Sequence, residues 1–294
     1  MKKWLAVLIL LMLPFAALAE EAFTPLGWEE PASPNVPDPA AYLPDGAGYH
    51  DASLDVRVER FRRYDTNITA VYVTIADVSQ LRCAPAGRNF RAVGETQVTK
   101  ISPRVNAVLA VSGDFYQRHA EGIVYRNGVE YRMRPNVNRD TLIIDQAGDL
   151  HIITGTTKQK WQAYLDEGGT VLHAFCFGPG LVVDGVPLTD VNHIRLNVGK
   201  NNLTQRLAIG QTGPLSYVFV ACEGPDQVDS VGLTIQQMAD VCAELGLHNA
   251  YNLDGGASST VVLNHEKINT LTAIKIRPVG DCIFFATLVP TPAQ

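Results

Sequence analysis

The sequence of 294 residues is 46% hydrophobic and 18% charged, and its formal net charge is −6. This composition is typical of a globular protein and excludes both wholesale disorder and a collagen-like repeat. The acidic balance lacks the basic footprint of a nucleic-acid-binding protein, and it makes an anionic membrane surface an equally poor partner.

The first 19 residues have the pattern of an export signal. Two lysines follow the initiator Met, an apolar stretch runs over 4–15, and Ala17-Leu18-Ala19 matches a small-x-small cleavage site. The stretch is too short for a comfortable bilayer span, although an uncleaved anchor is the alternative. We predict a signal peptide over 1–19 whose cleavage leaves a secreted or cell-envelope protein with no stable membrane span.

Residues 20–47 are rich in proline, which disfavours a sheet interior and favours extended, solvated backbone. These prolines are Pro25, Pro31, Pro34, Pro37, Pro39 and Pro44. We predict a linker or a wrapping arm over 20–47, followed by one folded domain over 48–294.

The domain sequence predicts many strands. Runs rich in β-branched and aromatic residues indicate strands at 54–61, 68–76, 107–111, 122–132, 141–145, 150–154, 174–177, 181–183, 206–210, 215–222, 250–253, 260–263 and 282–288. Turn residues indicate hairpins at Asn127-Gly128, Ala147-Gly148 and Asp184-Gly185. Asn-Gly is the strongest of these signals because a type I′ turn needs positive φ twice. We expect that hairpin tip to be remote from the chemistry.

Helices are few. The clearest one covers 234–245, because its apolar residues fall on one face, Thr234 and Gln237 form a capping box, and Gly246 can end it. A second helix is predicted over 158–167, and a short one within 95–105 is broken at Pro103. The pattern predicts an α+β fold in a single domain: a mostly antiparallel or mixed β-sheet with several hairpins and a few packed helices.

Cysteine usage gives no metal motif. The five cysteines are Cys83, Cys176, Cys222, Cys242 and Cys282. An export route permits disulfides, but no Cys-x-x-Cys supports a zinc or thioredoxin-like site. Because the count is odd, at least one thiol is free or paired between chains. The alternative is that most of the five cysteines are buried and pack as small hydrophobic residues.

Two predicted strands end in carboxylates beside glycines. Asp254 ends one strand and precedes two glycines and a run of hydroxyls, an arrangement that can hold a polyol or supply a base. Asp114 ends another, within Ser112-Gly113-Asp114. If the two converge, they suit acid–base chemistry on a glycosidic bond. The alternatives are a tight turn at Asp254 and two unrelated surface loops.

Two more strand ends carry charge. Arg206 stands at the entry of an apolar strand, where an arginine either pairs with a carboxylate or binds an anionic ligand. Glu223 closes the next strand and marks a third candidate site. Arg118 and His119 follow the Asp114 turn, and a lone loop histidine is more often solvated than catalytic.

The order of several motifs resembles the phosphodiester glycosidase family. The motifs are Ser112-Gly-Asp-Phe-Tyr116, Arg126-Asn-Gly-Val129, Gln205-Arg-Leu-Ala-Ile-Gly210, Gly232-Leu-Thr234 and Asn252-Leu-Asp-Gly-Gly-Ala-Ser258. The similarity covers about 106–283 and is densest over 204–260. Positions that depart from the usual family residues are Ser112, Asp114, Gln205, Leu207, Pro225 and Ala257.

The resemblance implies hydrolysis of a sugar-1-phosphodiester, such as a GlcNAc-1-phosphodiester, at the anomeric carbon. Arg206 would hold the departing phosphate, and Asp254 or Asp114 would be the base for water. The residues expected to bind substrate are Ser112, Ser258, Gly255, Gly256, Asn252, Glu223 and Arg118. No cofactor or metal is implied, although convergent carboxylates would suit calcium.

Carbohydrate or a sugar phosphate in envelope or extracellular glycans is therefore the expected partner. The departures from the family leave two alternatives: a non-catalytic glycan-binding protein on the same fold, and a glycosidase of a different linkage.

Overall fold

The computed structural model describes residues 23–30, 32–189, 194, 199–225, 229–270 and 276–291. The expected signal peptide lies outside these residues. In chain order the strands are β1 (Gly48–His50), β2 (Leu54–Arg63), β3 (Thr66–Ile75), β4 (Leu81–Pro85), β5 (Leu109–Ser112), β6 (Gly122–Arg126), β7 (Val129–Arg134), β8 (Thr141–Ile144), β9 (Leu150–Ile153), β10 (His173–Phe175), β11 (Gly180–Val183), β12 (Val186–Pro187), β13 (Leu207–Gly213), β14 (Ser216–Cys222), β15 (Asn249–Leu253), β16 (Val261–Leu263), β17 (Glu266–Lys267) and β18 (Asp281–Phe285). The α-helices are α1 (Val98–Ile101), α2 (Lys158–Asp166) and α3 (Ile235–Glu244).

The strands form three sheets. The largest has the order β1-β2-β3-β14-β13-β15-β11-β12, and the two five-stranded sheets have the orders β7-β6-β10-β8-β9 and β17-β16-β5-β18-β4. Their neighbouring strands pair antiparallel. The prediction of a mostly antiparallel sheet is confirmed. With three short α-helices in the described part, the fold is β-rich, and the single-domain organisation stays a prediction.

The central strands of the large sheet are buried on both faces. Residues such as Ile209 and Phe219 face one apolar cluster that the smaller sheets cover, and Ala208 and Val220 face another beneath α3. A strand covered on both sides reads as a continuous apolar run rather than an alternating one, as 217–222 does.

Helix α3 forms where the capping box predicts it. The Thr234 hydroxyl accepts a hydrogen bond from the Gln237 amide at 3.1 Å, and the Gln237 side chain accepts one from the Thr234 amide at 2.9 Å. Gly246, with φ 74°, follows the end of the helix. The short helix expected within 95–105 consists of α1 and a 3₁₀ turn that contains Pro103.

Two predicted hairpins close on left-handed turns. Asn127 and Gly128 have φ of 53° and 77° between β6 and β7, and Asp184 and Gly185 have φ of 50° and 78° between β11 and β12. Positive φ at both positions is the type I′ requirement. The Asn127 side chain also exchanges two 2.9 Å hydrogen bonds with the Cys83 backbone, so this turn is docked on β4 rather than free.

The described part of the Pro-rich segment packs along the domain. The Leu26 amide donates to Ser79 Oγ at 2.9 Å, and the Ser33 amide donates to the Val105 carbonyl at 3.1 Å. Arg82 donates to the carbonyls of residues 27 and 30. The five cysteines are all buried and unpaired. Along the described segments, no helix is both long enough and apolar enough to span a bilayer.

Candidate active site

The ends of three neighbouring central strands lie together at one end of the large sheet. Strand β13 pairs antiparallel with both β14 and β15, so Leu207 at its start lies beside the last residues of its two neighbours. The residues immediately outside these ends are Arg206, Glu223 and Asp254. Antiparallel pairing thus brings three candidate residues to the same end of the sheet, although they are separated by up to 48 positions in the chain.

Ser112 connects this end of the sheet to the end of β5. Ser112 is fully buried; its hydroxyl donates to the Ser258 carbonyl and accepts from the Thr260 amide at 2.9 Å. The loop after β15 is therefore tied to the loop that carries Asp114. Ser112 therefore links the two loops through hydrogen bonds.

The loop after β15 requires both of its glycines. A Cβ at Gly255 would lie 2.8 Å from the Gln205 carbonyl oxygen. Gly256 has φ of +59°, and its amide donates to the same carbonyl at 2.9 Å. The loop is thus held against the residue that precedes Arg206, and its 3₁₀ turn places Ser258 beside Asp254.

Asp254 is only 6% exposed, and this burial raises the pKa of its carboxyl to about 6. The neighbouring Ser258 side chain and the positive charge of Arg277 lower the pKa, whereas the Asp114 carboxylate raises it. Arg277 Nη1 lies 4.0 Å from Asp254 Oδ1. A carboxyl group that titrates near neutral pH can accept or donate a proton under physiological conditions.

Asp114 is close enough to affect Asp254, but both of its oxygens are occupied. Oδ1 accepts from Arg126 Nη2 at 2.7 Å and from the Tyr116 amide at 3.2 Å, and Oδ2 accepts from the Cys176 amide at 2.8 Å. Its side chain is fully buried. The structure therefore brings Asp114 and Asp254 together, with Asp114 fixing the chain after β5 and after β10.

Arg126 lies between two buried carboxylates. Its Nε donates to Asp281 Oδ2 at 2.7 Å, and its Cζ stacks 4.1 Å from the Phe175 ring centroid. Burial acts to raise the pKa of Asp281; Arg126 opposes this and Asp114 adds to it. Sequence reasoning missed Asp281, because no local spacing connects it to Arg126, 155 positions away.

The Arg206 side chain is held by hydrogen bonds to two backbone carbonyls. It is buried, its Nε donates to the Leu233 carbonyl at 2.7 Å, and its Nη2 donates to the Asn202 carbonyl at 3.0 Å. Burial lowers its pKa to about 10. Among the described residues, the cation that affects the pKa of Asp254 is Arg277 rather than Arg206. Arg277 was missed because it lies in no recognisable motif.

Glu223 and Arg118 have protein partners. Glu223 accepts from Asn67 at 2.9 Å and from Ser230 at 2.5 Å; burial acts to raise its pKa, but these hydrogen bonds prevail and lower it. Arg118 forms a two-pronged, solvent-exposed pair with Glu95, with both contacts at 2.7 Å. Arg118 is therefore engaged at the surface, outside the contacts that surround Asp254.

Asn252 turns toward the loop after β10. Its Nδ2 donates to the Gly178 carbonyl at 2.9 Å, and its buried Oδ1 has no hydrogen-bond partner. Within the described segments, no group of three or more His, Cys, Asp or Glu side chains is arranged to hold a metal ion.

Comparison with known proteins gives a consistent family. A sequence model of the phosphodiester glycosidase family matches residues 105–286. The SPβ prophage-derived uncharacterized protein YomE of Bacillus subtilis (strain 168) is 24% identical over 206 residues, which cover 68% of this chain and 31% of YomE. The chain thus spans about a third of the length of that curated relative.

Solved structures share the fold. The catalytic domain of zebrafish N-acetylglucosamine-1-phosphodiester alpha-N-acetylglucosaminidase, auto-inhibited by its pro-peptide, aligns with a TM-score of 0.62 and 15% identity over 88% of this chain and 87% of that one. A hypothetical protein from Synechocystis aligns with a TM-score of 0.56 and 15% identity over 79% and 62% of the two chains. Because the family model matches more than half of the sequence, the chain belongs to the phosphodiester glycosidase family.

Proposed function

We propose that the protein is an exported hydrolase that cleaves a sugar-1-phosphodiester at the anomeric carbon. The observation that carries the proposal is Asp254, a buried carboxyl with a pKa of about 6, placed at a strand end beside Arg277. Family membership supports the reaction class. The zebrafish enzyme's name suggests a GlcNAc-1-phosphodiester as the first substrate to test.

Asp254 is the proposed base. It takes a proton from water as the water oxygen bonds to the anomeric carbon, and the bond from that carbon to the phosphate oxygen breaks with its electron pair leaving on phosphate. The products are a free sugar and a phosphomonoester. Its raised pKa makes Asp254 a stronger base than an ordinary carboxylate, and the group is ionised above about pH 6.

Arg277 is the better placed cation for the departing phosphate. Its side chain is 45% exposed, so it can turn to a ligand, and it already lies beside Asp254. A guanidinium fork matches phosphate oxygens well. Arg206, which the sequence suggested for this role, donates instead to two carbonyls that hold the start of β13. We assign it to positioning.

Asp114 is also assigned to positioning, because its oxygens already accept hydrogen bonds from Arg126 and from the amides of Tyr116 and Cys176. Ser112, Gly255 and Gly256 shape the loop that presents Asp254.

The test is release of UDP and free N-acetylglucosamine from UDP-N-acetylglucosamine by the purified protein. We expect turnover by the native chain and a loss of about 10²–10⁴-fold in Asp254→Asn, the usual contribution of a general base. The exposed Asp166→Asn, which removes the same charge at the end of α2, is the matched control and should retain full activity.

The alternative is a non-catalytic glycan-binding protein, motivated by the departures from the family at Ser112 and Pro225. It predicts sugar-phosphate binding without turnover, equal in native protein and Asp254→Asn. Turnover of nitrophenyl glycosides but of no phosphodiester would instead indicate a glycosidase of a different linkage. Export is tested separately by cell fractionation, in which deletion of 1–19 should retain the protein in the cytoplasm.

A further inference from the structure

A cavity of about 340 Å³ is lined in part by Tyr116 and Gln117, which follow Asp114 in the chain. It falls at the lower end of the range of small-molecule pockets, which is roughly 300–1,000 Å³. The lining residues that give it chemical character are Phe90, Arg91, Tyr116, Gln117, Tyr131 and Arg132.

The cavity combines aromatic surface with positive charge. The Phe90 and Tyr131 rings lie 5.2 Å apart, and Arg91 Cζ lies 5.3 Å from the Tyr131 ring centroid. Among the described residues, its charged lining groups are the two arginines alone, although the chain has a net charge of −6. Aromatic faces suit the apolar faces of sugar rings, and guanidinium groups suit anionic oxygens.

The charge of Arg132 is not neutralised by its contacts. Its Nε donates to the Gly122 carbonyl at 3.2 Å, its Nη1 donates to the carbonyls of Tyr116 and His119, and its Nη2 contacts Cys176 Sγ at 3.4 Å. Carbonyls hold the guanidinium in place without cancelling its charge. The cavity therefore presents a fixed cation beside the more exposed Arg91.

The cavity adjoins the candidate active site. The Tyr116 amide donates to Asp114 Oδ1 at 3.2 Å, so one wall is tied to the carboxylate that affects Asp254. The other link is Gln117: a Cβ at Gly280, three residues after Arg277, would lie 2.9 Å from Gln117 Cδ.

We propose that this cavity is a substrate subsite for the next unit of an anionic glycan, so that the substrate is a chain of sugars joined by phosphodiesters rather than a single sugar phosphodiester. The ring of the next sugar lies against Tyr131, Arg91 binds its phosphate, and Arg132, whose guanidinium is held by carbonyls, adds a fixed positive charge. The inference rests on the proposed function, because it assigns the cavity to the same substrate.

The experiment compares a synthetic trimer of N-acetylglucosamine units joined by 1-phosphodiesters with UDP-N-acetylglucosamine. Binding is measured by titration calorimetry in the Asp254→Asn background, so that it does not depend on turnover. Arg91→Gln and Tyr131→Ala should each weaken trimer binding about tenfold and leave UDP-N-acetylglucosamine binding unchanged. Arg88→Gln removes the same charge from an exposed position of the same loop and should change neither.

Each result decides a different question. Equal trimer binding by Arg91→Gln and Arg88→Gln, or an equal loss with both ligands, would overturn the subsite. Equally tight binding of polyglutamate would also overturn it, because the cavity would then be a general polyanion site. Trimer binding with the expected losses, but no hydrolysis by the native protein, would reject the proposed function and leave the subsite standing. Hydrolysis of UDP-N-acetylglucosamine without preferential trimer binding would reject the subsite alone.

Discussion

Replacing Asp254 with Asn should make the protein less active but more stable at neutral and alkaline pH. The pKa of Asp254 rises from an ordinary value of 3.8 to about 6 in the folded protein, chiefly because the carboxyl is buried. Between these two values the folded state binds more protons than the unfolded state, so the free energy of unfolding falls as pH rises through this window. Above about pH 6 the ionised carboxylate reduces the free energy of unfolding by its full amount, and below pH 3.8 this reduction is absent.

The size of the effect follows from the difference in pKa. At about 1.4 kcal/mol per pKa unit, the ionised carboxylate costs the native protein about 3 kcal/mol of unfolding free energy above pH 7. About 2 kcal/mol of this cost develops between pH 4.5 and pH 8. Asn carries no charge, so Asp254→Asn should escape the cost. Its stability relative to native protein should therefore increase by about 2 kcal/mol over that interval.

Urea denaturation of both proteins at pH 4.5 and pH 8, followed by circular dichroism, measures the difference. Comparison of the two proteins removes the contribution of other titrating groups, and the exposed Asp166→Asn controls for loss of one negative charge. A stability difference between native protein and Asp254→Asn that does not change with pH would refute the argument that burial raises this pKa. In the native protein, turnover should fall about tenfold per pH unit below pH 6, because the base is then protonated.

Three further outcomes follow from the contacts. Arg126→Met should lower the free energy of unfolding by about 3–5 kcal/mol in urea titrations, because two buried carboxylates lose their shared cation; a loss below about 1 kcal/mol would contradict this. Arg277→Ala should reduce phosphodiester turnover by about 10²–10³-fold with an unchanged melting temperature. Arg206→Ala should instead lower the melting temperature, because it removes the hydrogen bonds that hold the start of β13. The reverse pattern would restore Arg206 as the phosphate ligand. Thr234→Ala should cost about 1 kcal/mol through the lost cap of α3, with activity retained at permissive temperature; an unchanged melting curve would show that the cap is dispensable.

Residue order along the chain was enough to predict features that neighbouring residues determine. The hairpin at Asn127-Gly128 and the capped start of α3 were predicted because turn dihedrals and helix caps depend on a few adjacent side chains. The positions of Asp254 and Asp114 at strand ends were predicted for the same reason: an apolar run followed by a carboxylate and glycine is a local pattern.

The tertiary structure alone decided which of these residues meet and how their acidity changes. Antiparallel pairing brings the start of β13 beside the end of β15, and burial there raises the pKa of Asp254. Asp281 reaches Arg126 across 155 positions, and the resulting contacts leave Asp114 fully hydrogen-bonded. Arg277, which no motif marks, becomes the cation beside Asp254. Strand pairing over long separations and desolvation depend on the packed whole, so no local pattern in the chain records them.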